Sequence, residues 1–190
     1  MYRYACLTQQ SYLYKGYEIH PISPEDIQKI RVWRNSQMDV LRQDKEISVE
    51  DQIFYYKNNV WNEFSAANPK NILFGIHNEG ELIGYGGLVH IAWEHSRAEI
   101  SFLVDTKRIG IKSLYEEDFS AFLHMIKQVS FENLYFRKLF TETYATRLHH
   151  ISILEKNGLM LEGILRHHVL IGDTFSDSLM HGILRSEYEK

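Results

Sequence analysis

The stretch from Glu99 to Asn157 constrains this chain most, because it alternates strand, loop, helix, strand and helix. In Glu99-Ile-Ser-Phe-Leu-Val-Asp105, the residues Ile100, Phe102 and Val104 alternate with Glu99, Ser101 and Leu103 at the two-residue period of a half-buried strand. A basic loop, Thr106 to Lys112, follows. Ser113-Leu-Tyr-Glu116 has the form of a capping box, in which the Ser113 hydroxyl accepts from the Glu116 backbone N–H and Glu116 reaches back to the N–H of Ser113. Phe119, Phe122, Ile126 and Val129 then give one apolar stripe at helical spacing. Arg137 to Tyr144 reads as a second strand. Leu148 to Asn157 reads as a second helix, with Gly158 as its left-handed stop.

A strand-to-helix turn is an anion site in the making, because the first N–H groups of a helix are unpaired and carry partial positive charge. Lys107, Arg108 and Lys112 add three full charges around it. The alternative is that glycine and lysine in a loop form only a solvated surface turn.

The rest of the chain supplies a sheet and further helices. Tyr12 to Ile22 reads as strands turning at Lys15-Gly16, and Ser23-Pro-Glu-Asp26 as a helix start with Ser23 as N-cap. Ile27, Ile30 and either Trp33 or Arg34 continue its buried face. Ser48 starts another helix, with Ile53, Tyr56 and Val60 on one side. The connection from Asn35 to Ile47 is long for a plain turn and carries Met38, Leu41, Arg42 and Gln43, a mix suited either to gripping a polar ligand or to plugging a surface loop. Asn71 to Asn78 and Glu81 to Ile91 form a hairpin. Gly84, Gly86 and Gly87 inside it mark a bulge or a close approach by another group. Leu161 to Ile171 and Thr174 to Leu184 form a last hairpin across Gly172-Asp173.

Composition excludes several classes. At 190 residues with 44% hydrophobic content, one domain spanning 1–190 with a real core is expected. A net charge of −4 argues against a nucleic-acid partner. Cys6 is alone, so no internal disulfide forms. No apolar run reaches membrane-spanning length and the N-terminus lacks a signal core, so a cytoplasmic protein is expected. The adjacent pairs His149-His150 and His167-His168 point their side chains apart, so no metal is expected. No Gly-x-Ser-x-Gly elbow supports a serine nucleophile.

Taken together, the pieces Ile19 to Asn35, Leu82-Ile-Gly-Tyr-Gly-Gly87, Glu99 to Asp105, Phe131-Glu-Asn-Leu134, Ile153-Leu-Glu-Lys-Asn-Gly158 and Leu161-Glu-Gly-Ile-Leu-Arg166 resemble the GNAT superfamily of acyl-CoA-dependent N-acetyltransferases. The branch they look most like holds the ribosomal-protein N-terminal acetyltransferases and nucleotide-amino-sugar N-acetyltransferases. The resemblance spans roughly Tyr17 to Leu184. It implies an α+β fold, a central mixed and mostly antiparallel sheet with helices on both faces, and acetyl-CoA as co-substrate. In the family's pyrophosphate loop, Arg/Gln-x-x-Gly-x-Gly/Ala, Lys107 takes the first position and Gly110 matches, while Lys112 replaces the second glycine. The implied cofactor set is Leu103 and Val104 on the central strand, Lys107, Arg108, Gly110, Lys112 and Ser113 at the loop, and Arg147 where the branch often has Asn.

For catalysis, Glu99 at the head of the central strand is the first choice of base and His90 the second, each with an ordinary surface reading beside it. The family's acidic tyrosine falls at Leu154, which cannot donate a proton, so Tyr144 or His150 is left to replace it. For the acceptor, Arg34, Asn35, Arg42 and Gln43 fit a nucleotide-linked amino sugar. A protein N-terminus is the alternative acceptor, and a binding module whose altered loop has lost acetyl-CoA is the alternative to an enzyme. The expected partner is a small-molecule amine, and a homodimer is compatible with the sequence.

Overall fold

A computed structural model describes residues 2–41 and 43–189. The alternating segments form eight strands: β1 (Tyr12–Tyr14), β2 (Tyr17–Pro21), β3 (Ile72–Asn78), β4 (Glu81–Ala92), β5 (Arg97–Val104), β6 (Lys138–Tyr144), β7 (Met160–Ile171) and β8 (Thr174–Leu184). They make one sheet in the order β1-β2-β3-β4-β5-β6-β8-β7. Every neighbouring pair is antiparallel except β5 and β6. The expected α+β layering, a mixed and mostly antiparallel sheet with helices on both faces, is what forms.

Period-2 alternation along β5 divides its residues between two cores. Ile100 and Val104 join Phe119, Phe122 and Ile126 of α4 (Lys112–Lys127) and Ile153 and Leu154 of α5 (Leu148–Lys156) on one face. Leu103 joins Ile27, Ile30 and Trp33 of α1 (Ile27–Asn35), with Tyr56 and Val60, on the other. Between Asp105 and α4 the chain makes one further turn of helix, α3 (Thr106–Ile109), and β8 runs into a last turn, α6 (Arg185–Tyr188). Phe122, with no exposed surface, contributes about 1.5–3 kcal/mol by burial alone. No described helix is long and apolar enough to cross a membrane.

Helix starts only partly follow the sequence pattern. Ser48 caps α2 (Val49–Tyr55) as expected, its hydroxyl accepting from the Asp51 N–H at 3.0 Å. The helix continues through a wider π-type turn (Tyr56–Val60) that keeps Tyr56 and Val60 buried. The start at Ser23 is displaced: α1 begins at Ile27, and Ser23 donates both its N–H and its hydroxyl to the Asp26 carboxylate at 2.8 Å. The capping box at Ser113 does not form. The preceding residue of α4 is Ile111, no side chain caps it, and Ser113 is exposed. Asp105, which accepts from the Lys107 N–H at 3.0 Å, caps α3 instead.

The glycines of β4 mark close approach. A Cβ on Gly86 would lie 2.4 Å from the Ser101 carbonyl oxygen and 2.7 Å from the Phe122 ring, so α4 sits on this strand because no side chain is there. Gly86→Ala is therefore expected to destabilise the protein by about 1–3 kcal/mol in urea unfolding, as overpacking does. Gly110→Ala, where a Cβ meets nothing within 4 Å, should leave stability unchanged or slightly raised.

Candidate functional site

The site begins where the sheet comes apart. β5 and β6 pair only through Arg97–Lys138, Ala98–Leu139 and Glu99–Phe140. Beyond Glu99, β5 stays with β4 as far as Val104, and β6 stays with β8 as far as Tyr144. The gap between them is a cavity of about 200 Å³ whose lining includes Glu99, Phe102 and Leu103 from β5, Glu142 and Tyr144 from β6, and Arg34, Arg147 and His150.

Backbone parity decides which peptide groups face this cleft. The Asp105 N–H bonds the Ile83 carbonyl of β4 at 2.8 Å. Alternation then turns the peptide groups of Ser101 and Leu103 toward β4 as well, and those of Ile100, Phe102 and Val104 toward the cleft. Leu103, expected beside the co-substrate, lines the cavity with a buried side chain while its peptide group faces β4. Val104 keeps its side chain in the core, and its carbonyl accepts from Gln37 Nε2 at 2.9 Å. Ile100 and Phe102 are the edge donors that side-chain alternation could not name, since it reports faces and not edges.

The two base candidates are neighbours. A bulge between Val89 and Ala92 places His90 at φ 47°, and its Nε2 lies 3.8 Å from Glu99 Oε2. The Glu99 side chain keeps 12% of its surface and His90 65%, so the carboxylate sits within the cleft and the imidazole at its mouth. Glu99 pairs with Phe140, so two residues further along β6 the Glu142 side chain returns to the same face. His168 Nε2 stands 3.6 Å from Glu142. Tyr144, at the end of β6, lines the cleft.

The basic loop is divided between structure and surface. Arg108 donates to both oxygens of Asp118, at 2.6 and 2.8 Å, and Tyr17 donates to the same carboxylate at 2.9 Å. Asp118 has no exposed surface, so Arg108 is its counter-ion. The arginine in turn is held above its usual range by that carboxylate. Burial pushes the Tyr17 hydroxyl up to about 12. Glu116, the other acid near the helix start with a partner, takes Lys156 at 2.6 Å. Lys107 and Lys112 are left exposed. A second cavity, about 540 Å³, holds Gly110 and Lys112 with Tyr115, Arg147, His149 and His150.

Arg147 and His150 line both cavities and so join the basic loop to the cleft. The Tyr115 hydroxyl lies 2.7 Å from His150 Nδ1, and Arg147 donates to that hydroxyl at 3.1 Å. Burial first, then the charge of Arg147, holds the His150 imidazole well below its ordinary 6.5, and burial raises Tyr115. Leu154, at the position of the family's tyrosine, is wholly in the core.

Three of the four residues expected to grip an acceptor make hydrogen bonds within the chain. Asn35 accepts from the Ile47 N–H at 2.9 Å and donates to the Ile47 carbonyl at 3.0 Å. Gln43 donates to Asn35 at 3.0 Å and accepts from Arg34 at 3.1 Å, while Arg34 also donates to the Tyr85 hydroxyl at 2.6 Å. They hold the connection between α1 and α2 against the sheet. Arg42 lies outside the described residues. Among the described residues no group of three His, Cys, Asp or Glu side chains could hold a metal.

Residues 19–180 match the family described as acetyltransferase (GNAT) domain. No curated protein matches the chain in sequence. Among solved structures it is similar to the spermidine N-acetyltransferase of Vibrio cholerae in complex with CoA and spermine, with a TM-score of 0.79 and 18% identity over 93% of this chain and 100% of that one. It is also similar to the dodecameric form of the Vibrio cholerae enzyme in an intermediate state, with a TM-score of 0.71 and 19% identity over 92% and 97% of the two chains.

Arg108 and Lys112 should separate cleanly. Arg108→Ala leaves a buried carboxylate without its cation and is expected to cost about 3 kcal/mol in urea unfolding. Lys112→Gly should leave stability unchanged and weaken acetyl-CoA about tenfold in calorimetry at low salt. The histidine gives a further expectation. Its folded pKa lies below the unfolded value of 6.5, so the unfolded chain binds the extra proton and stability falls as pH drops below 6.5. His150→Gln should flatten that slope in unfolding measured from pH 7 to pH 5.

Proposed function

The chain belongs to the GNAT acetyltransferases, N-acetyltransferases with acetyl-CoA as co-substrate, and on that premise we propose that its acceptor is a cationic alkylamine of the polyamine class. The observation that carries this reading is the pair of carboxylates, Glu99 and Glu142, on one face where β5 and β6 part. Carboxylates in a narrow cleft draw in a protonated amine and disfavour the phosphates of a sugar nucleotide. The amino-sugar reading depended on Arg34, Asn35, Arg42 and Gln43; Arg34, Asn35 and Gln43 are engaged within the chain, and Arg42 lies outside the described residues. The spermine-bound Vibrio cholerae structure, with the same fold, supports a polyamine acceptor.

Acetyl-CoA fits the residues present. Lys107, Lys112 and Arg147 would meet its phosphates, and Gly110 leaves room beside them. Its thioester supplies the activated acyl group. The backbone edge of Ile100 and Phe102 would polarise the carbonyl with N–H groups. Glu99 then takes a proton from the ammonium, so that the free amine attacks. His90, 3.8 Å away and largely exposed, passes that proton to solvent. Glu142 holds the acceptor's remaining positive charge.

A homodimer remains part of the proposal. β7 is the last strand of the sheet, and Met160, Ile164, Leu165 and Leu170 on it are exposed. An open apolar edge favours pairing with a second copy.

The test is a panel of spermidine, spermine, a nucleotide-linked amino sugar and a peptide with a free N-terminus, read by CoA release and product mass. Spermidine or spermine should be acetylated with kcat/KM at least tenfold above the others. Acetylation of the sugar or the peptide alone would overturn the polyamine reading. Absence of acetyl-CoA binding would leave the binding module. Glu99→Gln should lower kcat/KM by about 10²–10⁴, with the loss shrinking at high pH and acetyl-CoA affinity kept. Glu142→Gln should raise KM for the amine more than it lowers kcat.

A further inference from the structure

Acetyl transfer ends with a thiolate that must be protonated, and the position of the family's tyrosine is occupied here by the buried Leu154. Resting on the acetyltransferase reading, we propose that His150, supplied by Tyr115 and held by Arg147, is the group that protonates the departing sulfur.

The geometry fixes the imidazole in one tautomer. Arg147 carries donors only, and one of its nitrogens lies 3.5 Å from His150 Nδ1 while donating to the Tyr115 hydroxyl at 3.1 Å. A ring nitrogen beside a guanidinium is an acceptor, so the Tyr115 O–H donates to Nδ1 at 2.7 Å. The ring proton is then on Nε2, the nitrogen left for the cleft that His150 lines. Phe119 stacks on the imidazole at 4.2 Å between centroids and 17° between planes, which holds the ring plane. The groups that face the imidazole are Tyr115 from α4, Arg147 and His149 beside it, and His181 from β8, and none of them is an acid. Burial and the Arg147 charge favour the neutral imidazole, and Tyr115 at Nδ1 can replace the proton that Nε2 gives up.

The proton balance follows. As the nitrogen–carbon bond forms, the amine's proton goes to Glu99. As the carbon–sulfur bond breaks, its electron pair stays on sulfur. His150 gives its Nε2 proton to the sulfur and takes the Tyr115 proton at Nδ1, which leaves a neutral imidazole in the other tautomer and a tyrosinate beside the Arg147 guanidinium. Once CoA has left, water in the cleft delivers one proton to Nε2 while the Nδ1 proton returns to the tyrosinate, and the pair is reset. The products are the acetylated amine and CoA as its thiol.

The experiment uses the full chain in two measurements. In ¹⁵N spectra of histidine-labelled protein without co-substrate, His150 should show the neutral Nε2–H form at pH 7, and Tyr115→Phe should mix the tautomers. In turnover with acetyl-CoA and the amine the protein uses best, Tyr115→Phe and His150→Gln should each lower kcat by about 10²-fold or more, with acetyl-CoA affinity by calorimetry within about threefold of wild type. His150→Gln keeps an acceptor for Tyr115 and a donor toward the cleft, so its rate loss reports proton transfer and not packing. It carries the test where Tyr115→Phe does not fold. An Nδ1–H tautomer in the wild type, or a wild-type kcat in either folded variant, overturns the proposal. A wild type that binds no acetyl-CoA overturns the acetyltransferase reading itself, which the calorimetry identifies separately.

Discussion

Everything at this site depends on the three residue pairs that β5 and β6 share before they separate. Parallel strands held for a short distance and then drawn apart by different partners, β4 on one side and β8 on the other, leave one strand edge with unused peptide groups in the middle of a sheet. Unpaired backbone groups in a protein interior are costly, so such a gap persists only where solvent or a ligand fills it. It is also where helices from one face and the α1–α2 connection from the other both reach the same volume, as the lining of Phe119, His150, Arg34 and Leu41 shows.

The gap needs rigid walls, and two features of the sequence supply them. Gly84 and Gly86 remove side chains from β4 where the β5 carbonyls and Phe122 approach, so α4 lies directly on the strands and the Phe102, Phe119 and Phe122 rings pack together beneath the cleft. The Arg108–Asp118–Tyr17 cluster then ties the turn of α3 to the second turn of α4 and both to β2. A buried carboxylate satisfied by three donors is stable only as a set. The loop's exposed lysines therefore stand on a fixed base, and the arginine between them is part of that base.

Much of the fold is legible because alternation and turn chemistry are local. Strands β1 to β8, the hairpins and the stop of α5 at Gly158, φ 88°, all follow from spacing and glycine placement. What escapes the sequence is long-range or depends on backbone parity. Nothing in a one-dimensional pattern pairs Arg108 with a carboxylate inside the next helix, and a solvated anion site is the natural reading of three clustered bases. Side-chain alternation names Leu103 as readily as Phe102, because it cannot tell which neighbour each peptide group faces. The capping pattern at Ser113 loses to Asp105, which starts a turn of helix earlier and leaves α4 to begin at Lys112 behind the uncapped Ile111. Asn35 and Gln43 look like ligand contacts because amides serve loops and ligands equally well. Glu99 was legible as an acid of the central strand, although the strand opens at Arg97 and not at Glu99, whereas its partner on the cleft face, Glu142, needed the register of a parallel pair.

The distribution of charge gives the site a direction. Lys112 stands at one end, Glu99 and Glu142 at the other, and Arg147 and His150 join the two cavities between them. A second acid at the junction would bind Arg147 and close the path, and a second cation would repel an ammonium from the cleft. A neutral imidazole avoids both effects, yet it can still carry a proton. Burial and the neighbouring guanidinium keep it neutral. In the proposed relay the charge that would otherwise appear on it would appear instead on Tyr115, which already accepts a hydrogen bond from Arg147. On the proposed mechanism Arg147 would have two tasks, to meet a phosphate on one side and to stabilise a phenolate on the other. That pairing explains why Arg147 and His150 sit one helical turn apart, facing the same tyrosine.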